Sequence, residues 1–158
     1  MRNGKMEKEA RAIVRAFWAE CHEIVRPDFE VSSIAHEANR AGFKMEDRFI
    51  EELSSKLPVG WKLIDYPIGS KADVVFKIDV SIGIPHKKEV ILLQIKYNGG
   101  YNETWPWMPR HVLKAHEVLG YKVRRALLII DDYNVERLVD ELIEWIKKEK
   151  DNNDVKLS

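Results

Sequence analysis

Apolar residues recur at helical spacing through the first third of the chain. Ala12, Ile13, Ala16, Phe17, Ala19 and Ile24 mark one face of a helix over residues 5–25, ended by Pro27. A second short helix is predicted over 32–41, from Ser32 or Ser33 to a break at Gly42. A third covers 44–57, with Met45, Phe49, Ile50, Leu53 and Leu57 on one side and Pro58 as its stop. The period then changes. Residues 61–66, 72–80 and 89–97 read as strands, 109–119 as a helix, 123–130 as a strand and 134–149 as a closing helix. Residues 151–158 are polar and expected to fray. The order ααα-βββ-α-β-α predicts an α/β three-layer arrangement, with a mixed central sheet of four to five strands flanked by helices.

Two of these strands carry residues that packing alone does not call for. Asp73 heads the run Ala72–Phe76, and Gln94 and Lys96 close the run Val90–Lys96. Desolvating a carboxylate or an ammonium is costly unless a partner or a metal compensates. Gly83 and Pro85 predict the turn between the strands. An antiparallel hairpin about that turn sets Asp73 opposite Ile95, beside Gln94 and Lys96, which are two apart and share a face. The same register sends Asp79 towards Glu89 at the far end, so Asp73 is expected in the site and Asp79 on the surface.

Composition narrows the classes. At 158 residues with 45% hydrophobic and 33% charged, one domain with a substantial core is expected. No apolar run approaches the roughly 20 residues of a membrane span, and no secretory leader is expected from Met1–Lys5. The single cysteine, Cys21, excludes an internal disulfide and any multi-cysteine zinc site, and fits a packed thiol in an intracellular, cytoplasmic setting. Net charge is zero but unevenly spread. Residues 69–125 hold ten Lys/Arg against five Asp/Glu, a balance of +5, while 126–158 hold five against nine, a balance of −4. The positive part contains the unusual strands, and local basic surface is what a phosphate backbone requires. Gln94 is the one glutamine among abundant Lys and Glu, a thermophile-like tendency.

The third helix adds Glu46, four residues after Gly42 and seven before Leu53. Gly42, Glu46 and Leu53, then Gly69-Ser70-Lys71, Asp73 and Gln94-Ile95-Lys96-Tyr97, form a pattern that resembles the PD-(D/E)xK nuclease superfamily, in particular its archaeal Holliday-junction resolvase-like branch. The resemblance spans roughly residues 42–130. It implies a restriction-endonuclease-like core there, while the helical extension over 1–41 and the closing helix over 131–150 of the same single domain lie outside the resemblance. It also implies a Mg²⁺- or Mn²⁺-dependent DNA endonuclease acting as a homodimer. Glu46, Asp73, Gln94 and the Ile95 carbonyl would hold the metal, Lys96 would act on the attacking water or the transition state, and Ser70 and Lys71 would meet the scissile phosphate. Two departures stand out: the family's proline before the aspartate is absent, and Gln94 replaces the usual glutamate.

Each residue also has a plainer reading. Glu46 suits the first turn of a helix, Asp73 and Lys96 suit a cross-strand ion pair, and Ser70-Lys71 suits a turn. Trp105, in Trp105-Pro106-Trp107-Met108-Pro109, is a candidate for stacking on unpaired bases, against core packing for at least one tryptophan. Arg110, Lys114, Lys122, Arg124 and Arg125 are candidates to track a duplex or to stay solvated. The histidines show no metal-binding spacing. The alternative is a catalytically inactive nuclease-fold protein that binds nucleic acid or a partner.

Overall fold

The computed structural model describes residues 4–26, 33–99, 104–148 and 152–158, with the side chains of 33–41 outside that description. Pro27, Ser32, Gly100 and the His36 side chain therefore lie outside the described residues. The elements are α1 (Gly4–Cys21), α2 (Ser33–Lys56), β1 (Lys62–Asp65), the one-turn α3 (Lys71–Val74), β2 (Val80–Ile84), a 3₁₀ turn (Pro85–Lys87), β3 (Glu89–Tyr97), α4 (Arg110–Val118), β4 (Lys122–Ile130), α5 (Val135–Lys147) and β5 (Asp154–Leu157). They form a five-stranded sheet in the order β1-β2-β3-β4-β5. β1, β2 and β3 run antiparallel, and β3, β4 and β5 run parallel. Parallel neighbours need a crossover, which α4 and α5 supply.

Helices cover both faces, so the central strands are apolar on both sides. Alternation along β3 decides which residues go where. Ile91, Leu93 and Ile95 join Phe49 and Leu53 of α2 and Leu138, Val139, Leu142 and Ile146 of α5 in one core. Leu92 faces the other way, into a second core with Phe17 and Cys21 of α1, Ala72, Phe76, Ile78 and Val112 of α4. Burial drives the Cys21 thiol up to about 12, which leaves it an inert packing group.

Four expectations fail, each for a local reason. The helices expected over 32–41 and 44–57 are the single helix α2, because Gly42 costs a helix only about 1 kcal/mol and does not stop it. The strand expected over 72–80 opens instead as α3: Ser70 is its N-cap, with Oγ accepting the Asp73 N–H at 3.4 Å, and Asp73 Oδ2 accepts the Gly69 N–H at 3.1 Å. That reciprocal capping outweighs the strand preference of Val74 and Val75. The turn lies later than Gly83, at Pro85–Lys88, where Lys88 is left-handed (φ 52°). Val80 therefore faces Leu93 and Ile84 faces Glu89. Finally, residues 154–157 do not fray but form β5 beside β4, held by Arg125 Nη2 and Nε on the Asp154 carboxylate at 2.7 and 3.0 Å.

Candidate metal and phosphate site

The chemistry-bearing residues meet where β2 begins and β3 ends. A cavity of about 170 Å³ is lined by Phe43, Glu46, Tyr66, Ile68, Asp73, Asp79, Gln94, Ile95 and Lys96. The set expected from sequence, Glu46, Asp73, Gln94, Ile95 and Lys96, is thus brought together. Asp79 was expected on the surface near Glu89. It lies instead at the centre, because the later turn advances β2 along β3. Asp79 Oδ2 accepts the Ile95 N–H at 2.7 Å, and its own N–H reaches the Leu93 carbonyl at 2.9 Å. Asp79, the residue just before β2, lines the cavity, and Asp73 reaches it from α3.

Loop geometry fixes Asp73. Gly69 has φ +85°, and a Cβ there would stand 2.5 Å from the Arg26 carbonyl oxygen, so only glycine fits. The Gly69 carbonyl accepts the N–H groups of Val25 and Arg26 at 2.9 and 3.1 Å, and the Lys71 N–H reaches the Glu23 carbonyl at 2.7 Å. These bonds stitch the end of α1 to the loop that carries Asp73.

The electrostatics are those of crowded acids. Glu46 is raised from its ordinary 4.5 to about 7, first by burial and then by the charges of Asp73 and Asp47, with Lys96 opposing. Asp79 is pushed well above the carboxylate range, first by burial and then by Glu46. Asp73 adds its charge and a hydrogen bond in the same direction, while the Ile95 N–H opposes. Burial and the charge of Asp47 also raise Asp65, at the end of β1.

Gln94 is explained by its partners. It is buried with its amide nitrogen 3.0 Å from Asp79 Oδ2 and 2.6 Å from the Lys77 carbonyl, the orientation in which it donates to both. A carboxylate in that place would face an acceptor on each side. Those two acceptors require a donor at position 94, which an amide supplies and a carboxylate does not.

The remaining expected contacts are distributed differently. Ser70 is fully buried by its capping role, and Lys71 is ion-paired with Glu20. Trp105 lies beneath the Arg125 guanidinium, 5.3 Å from the ring centre, and Trp107 donates its indole N–H to the Val75 carbonyl at 3.1 Å. Arg110 and Lys114 are exposed on α4 and line neither this cavity nor its neighbour. Arg124 is buried, with Nη1 and Nη2 on the Ile146 and Trp145 carbonyls at 2.9 and 3.1 Å, so it caps α5 and does not reach solvent.

The carboxyl groups of Glu46, Asp73 and Asp79 that line the cavity offer oxygen donors. This is the donor chemistry that Mg²⁺ and Mn²⁺ prefer. Among the described residues, no three Asp, Glu, His or Cys side chains are already gathered as a metal-ligand group. Among them too, no helix is long and apolar enough to cross a membrane. Comparison with family models, with curated proteins and with solved structures gave no match, so the site rests on its own geometry.

Proposed function

We propose that this chain is a metal-dependent DNA endonuclease of the PD-(D/E)xK type, hydrolysing phosphodiester bonds in a junction-resolving or restriction-like manner. The observation that carries this reading is the convergence of Glu46, Asp73 and Asp79 with Gln94 and Lys96 on one cavity at the end of the central strands. Three carboxyls line this one cavity, and burial and mutual charge raise Glu46 and Asp79, a perturbation of the kind that clusters at functional sites.

A bound Mg²⁺ or Mn²⁺ would supply an activated water and charge neutralisation at the phosphate. The chain's own residues do the rest. Asp73, Asp79 and Glu46 would hold such a cation through their carboxylate oxygens, with the Ile95 carbonyl as a further oxygen. Gln94 holds Asp79 in place through its amide N–H. Lys96 sets an ammonium beside the same cavity, where it orients the attacking water or stabilises charge developing on the phosphate. Cutting both strands of a duplex or junction requires two such sites, which a homodimer provides.

A second reading, a nuclease-fold protein that binds nucleic acid without cutting, draws on one observation. The Asp79 carboxyl already has protein partners without any metal, accepting the Ile95 N–H at 2.7 Å and the Gln94 amide N–H at 3.0 Å. The test is incubation with supercoiled plasmid and with a synthetic four-way junction in Mg²⁺, Mn²⁺ or EDTA. Cutting in either metal, none in EDTA, and none by Asp79→Asn or Lys96→Ala despite retained DNA binding are expected. Binding without cutting by the wild type in both metals makes the second reading the better account.

A further inference from the structure

Beside the acidic cavity lies a second one of about 340 Å³, lined by Arg26, Asp73, Val74, Lys77, Gln94, Lys96 and Thr104. The two share Asp73, Gln94 and Lys96 as a common wall. Their charges are opposite in kind: Glu46, Asp73 and Asp79 meet one ammonium in the first, whereas Arg26, Lys77 and Lys96 meet one carboxylate in the second. Neither Arg26 nor Lys77 forms an ion pair with the described carboxylates.

Both cations are held at this edge by the backbone. Arg26 is fixed through its N–H on the Gly69 carbonyl, in the loop that also carries Asp73. Lys77 adopts a left-handed conformation, φ 56°, which a residue with a Cβ disfavours. Its carbonyl is the one that receives the Gln94 amide at 2.6 Å, and the carbonyl of the preceding Phe76 accepts the Trp107 N–H at 2.9 Å. Gln94 therefore couples the position of Lys77 to that of Asp79: one amide spans a residue of the acidic cavity and one of the basic cavity.

From this juxtaposition we propose that Arg26 and Lys77 form a second phosphate subsite, which receives the backbone phosphate adjoining the one at the acidic cavity and sets the path of the DNA strand past Asp73. The proposal rests on the nucleic-acid reading of the acidic site and extends it. Neither residue is a catalytic group; both position the strand. Gln94 serves both halves, which gives a glutamine at this place a role that a glutamate could not fill.

The experiment measures binding of a fluorescent 30-base-pair duplex in EDTA over a NaCl series, for wild type, Arg26→Ala, Lys77→Ala, Lys77→Gly and Lys77→Arg, with cleavage in Mg²⁺ or Mn²⁺ followed in parallel. Lys77→Gly keeps the left-handed backbone without the amine, so it separates charge from fold. Loss of one phosphate contact lowers the slope of log K against log salt by about 0.9 for a duplex. That loss is expected in Arg26→Ala, Lys77→Ala and Lys77→Gly, and the wild-type slope is expected in Lys77→Arg. A wild-type slope in Arg26→Ala and Lys77→Gly overturns the subsite, whatever the enzyme cuts. Reduced slopes with no cutting by the wild type uphold the subsite and sink the nuclease reading alone. A wild type that binds no duplex overturns both.

Discussion

Raising the pH in the absence of divalent cations should weaken this protein through Glu46. The folded state raises that carboxyl from 4.5 to about 7 by burial and by the charges of Asp73 and Asp47. A carboxyl whose affinity for its proton is higher when folded stabilises the fold below its unfolded value, and that stability is lost as pH rises through the folded value. The window therefore runs from about pH 4.5 to about pH 7. At about 1.4 kcal/mol per pH unit, the contribution of Glu46 is about 3 kcal/mol, and neighbouring Asp79 acts in the same direction. Buried His116 acts in the opposite sense, because burial lowers it, and a histidine depressed on folding stabilises the fold as pH rises. A single pH profile would mix the two. The comparison needed is wild type against Glu46→Gln, which carries the same His116. Urea or thermal unfolding in EDTA from pH 4 to 8 should show Glu46→Gln gaining on the wild type by about 3 kcal/mol, or about 6–12 °C for a domain of this size. A difference between the two proteins that is constant across that range, or that shrinks as pH rises, would refute the crowded-acid account of the site.

Three further outcomes follow from the same geometry. Millimolar Mg²⁺ or Mn²⁺ should raise the melting temperature more at pH 8 than at pH 5.5, where Glu46 and Asp79 keep their protons, and calorimetry in buffers of different ionisation enthalpy should register proton release; Asp79→Asn should abolish the response. Gln94→Glu should destabilise the metal-free protein at pH 8 by about 1–3 kcal/mol, because it sets an acceptor against the Lys77 carbonyl and Asp79, with a smaller cost at pH 5 when the new acid is protonated; urea midpoints at the two pH values decide this. Arg124→Ala should lower stability by about 3–5 kcal/mol, since it removes the cap on the Trp145 and Ile146 carbonyls and leaves Glu89, 4.0 Å from the guanidinium, without its partner; Arg124→Met, which keeps packing against Trp145, should cost less in the same unfolding assay.

Legibility divided along a physical line. β3 was readable from its own residues: an apolar run bounded at both ends, with a period of two that puts Gln94 and Lys96 on one face wherever the neighbouring strands lie. The positions of α4, β4 and α5 were readable for the same reason. Asp79 was not, because its place depends on the register of β2 against β3, and the register depends on where the chain turns. Gly83 offered a turn signal, yet the chain continues extended through Ile84 and turns on Pro85–Lys88. That delay carries Asp79 from the expected far end to a position beside Ile95, so an acid that burial and its neighbours hold well above the ordinary carboxylate range is the one expected on the surface. Asp73 shows the complementary case. Its expected strand gave way to a capped turn, yet it still reaches the cavity, because the Gly69 loop brings α3 against the end of β3. β5 was hidden differently: Val155 and Leu157 alternate with Asp154 and Lys156 over only four residues, and the pairing partner Arg125 lies 29 positions earlier. A sequence read for its chemistry can therefore pick out residues that meet in one cavity at the end of a strand while misplacing an acid. Residue types and their facing are carried by the strand itself, whereas the acid that joins them in the cavity follows from a turn outside it.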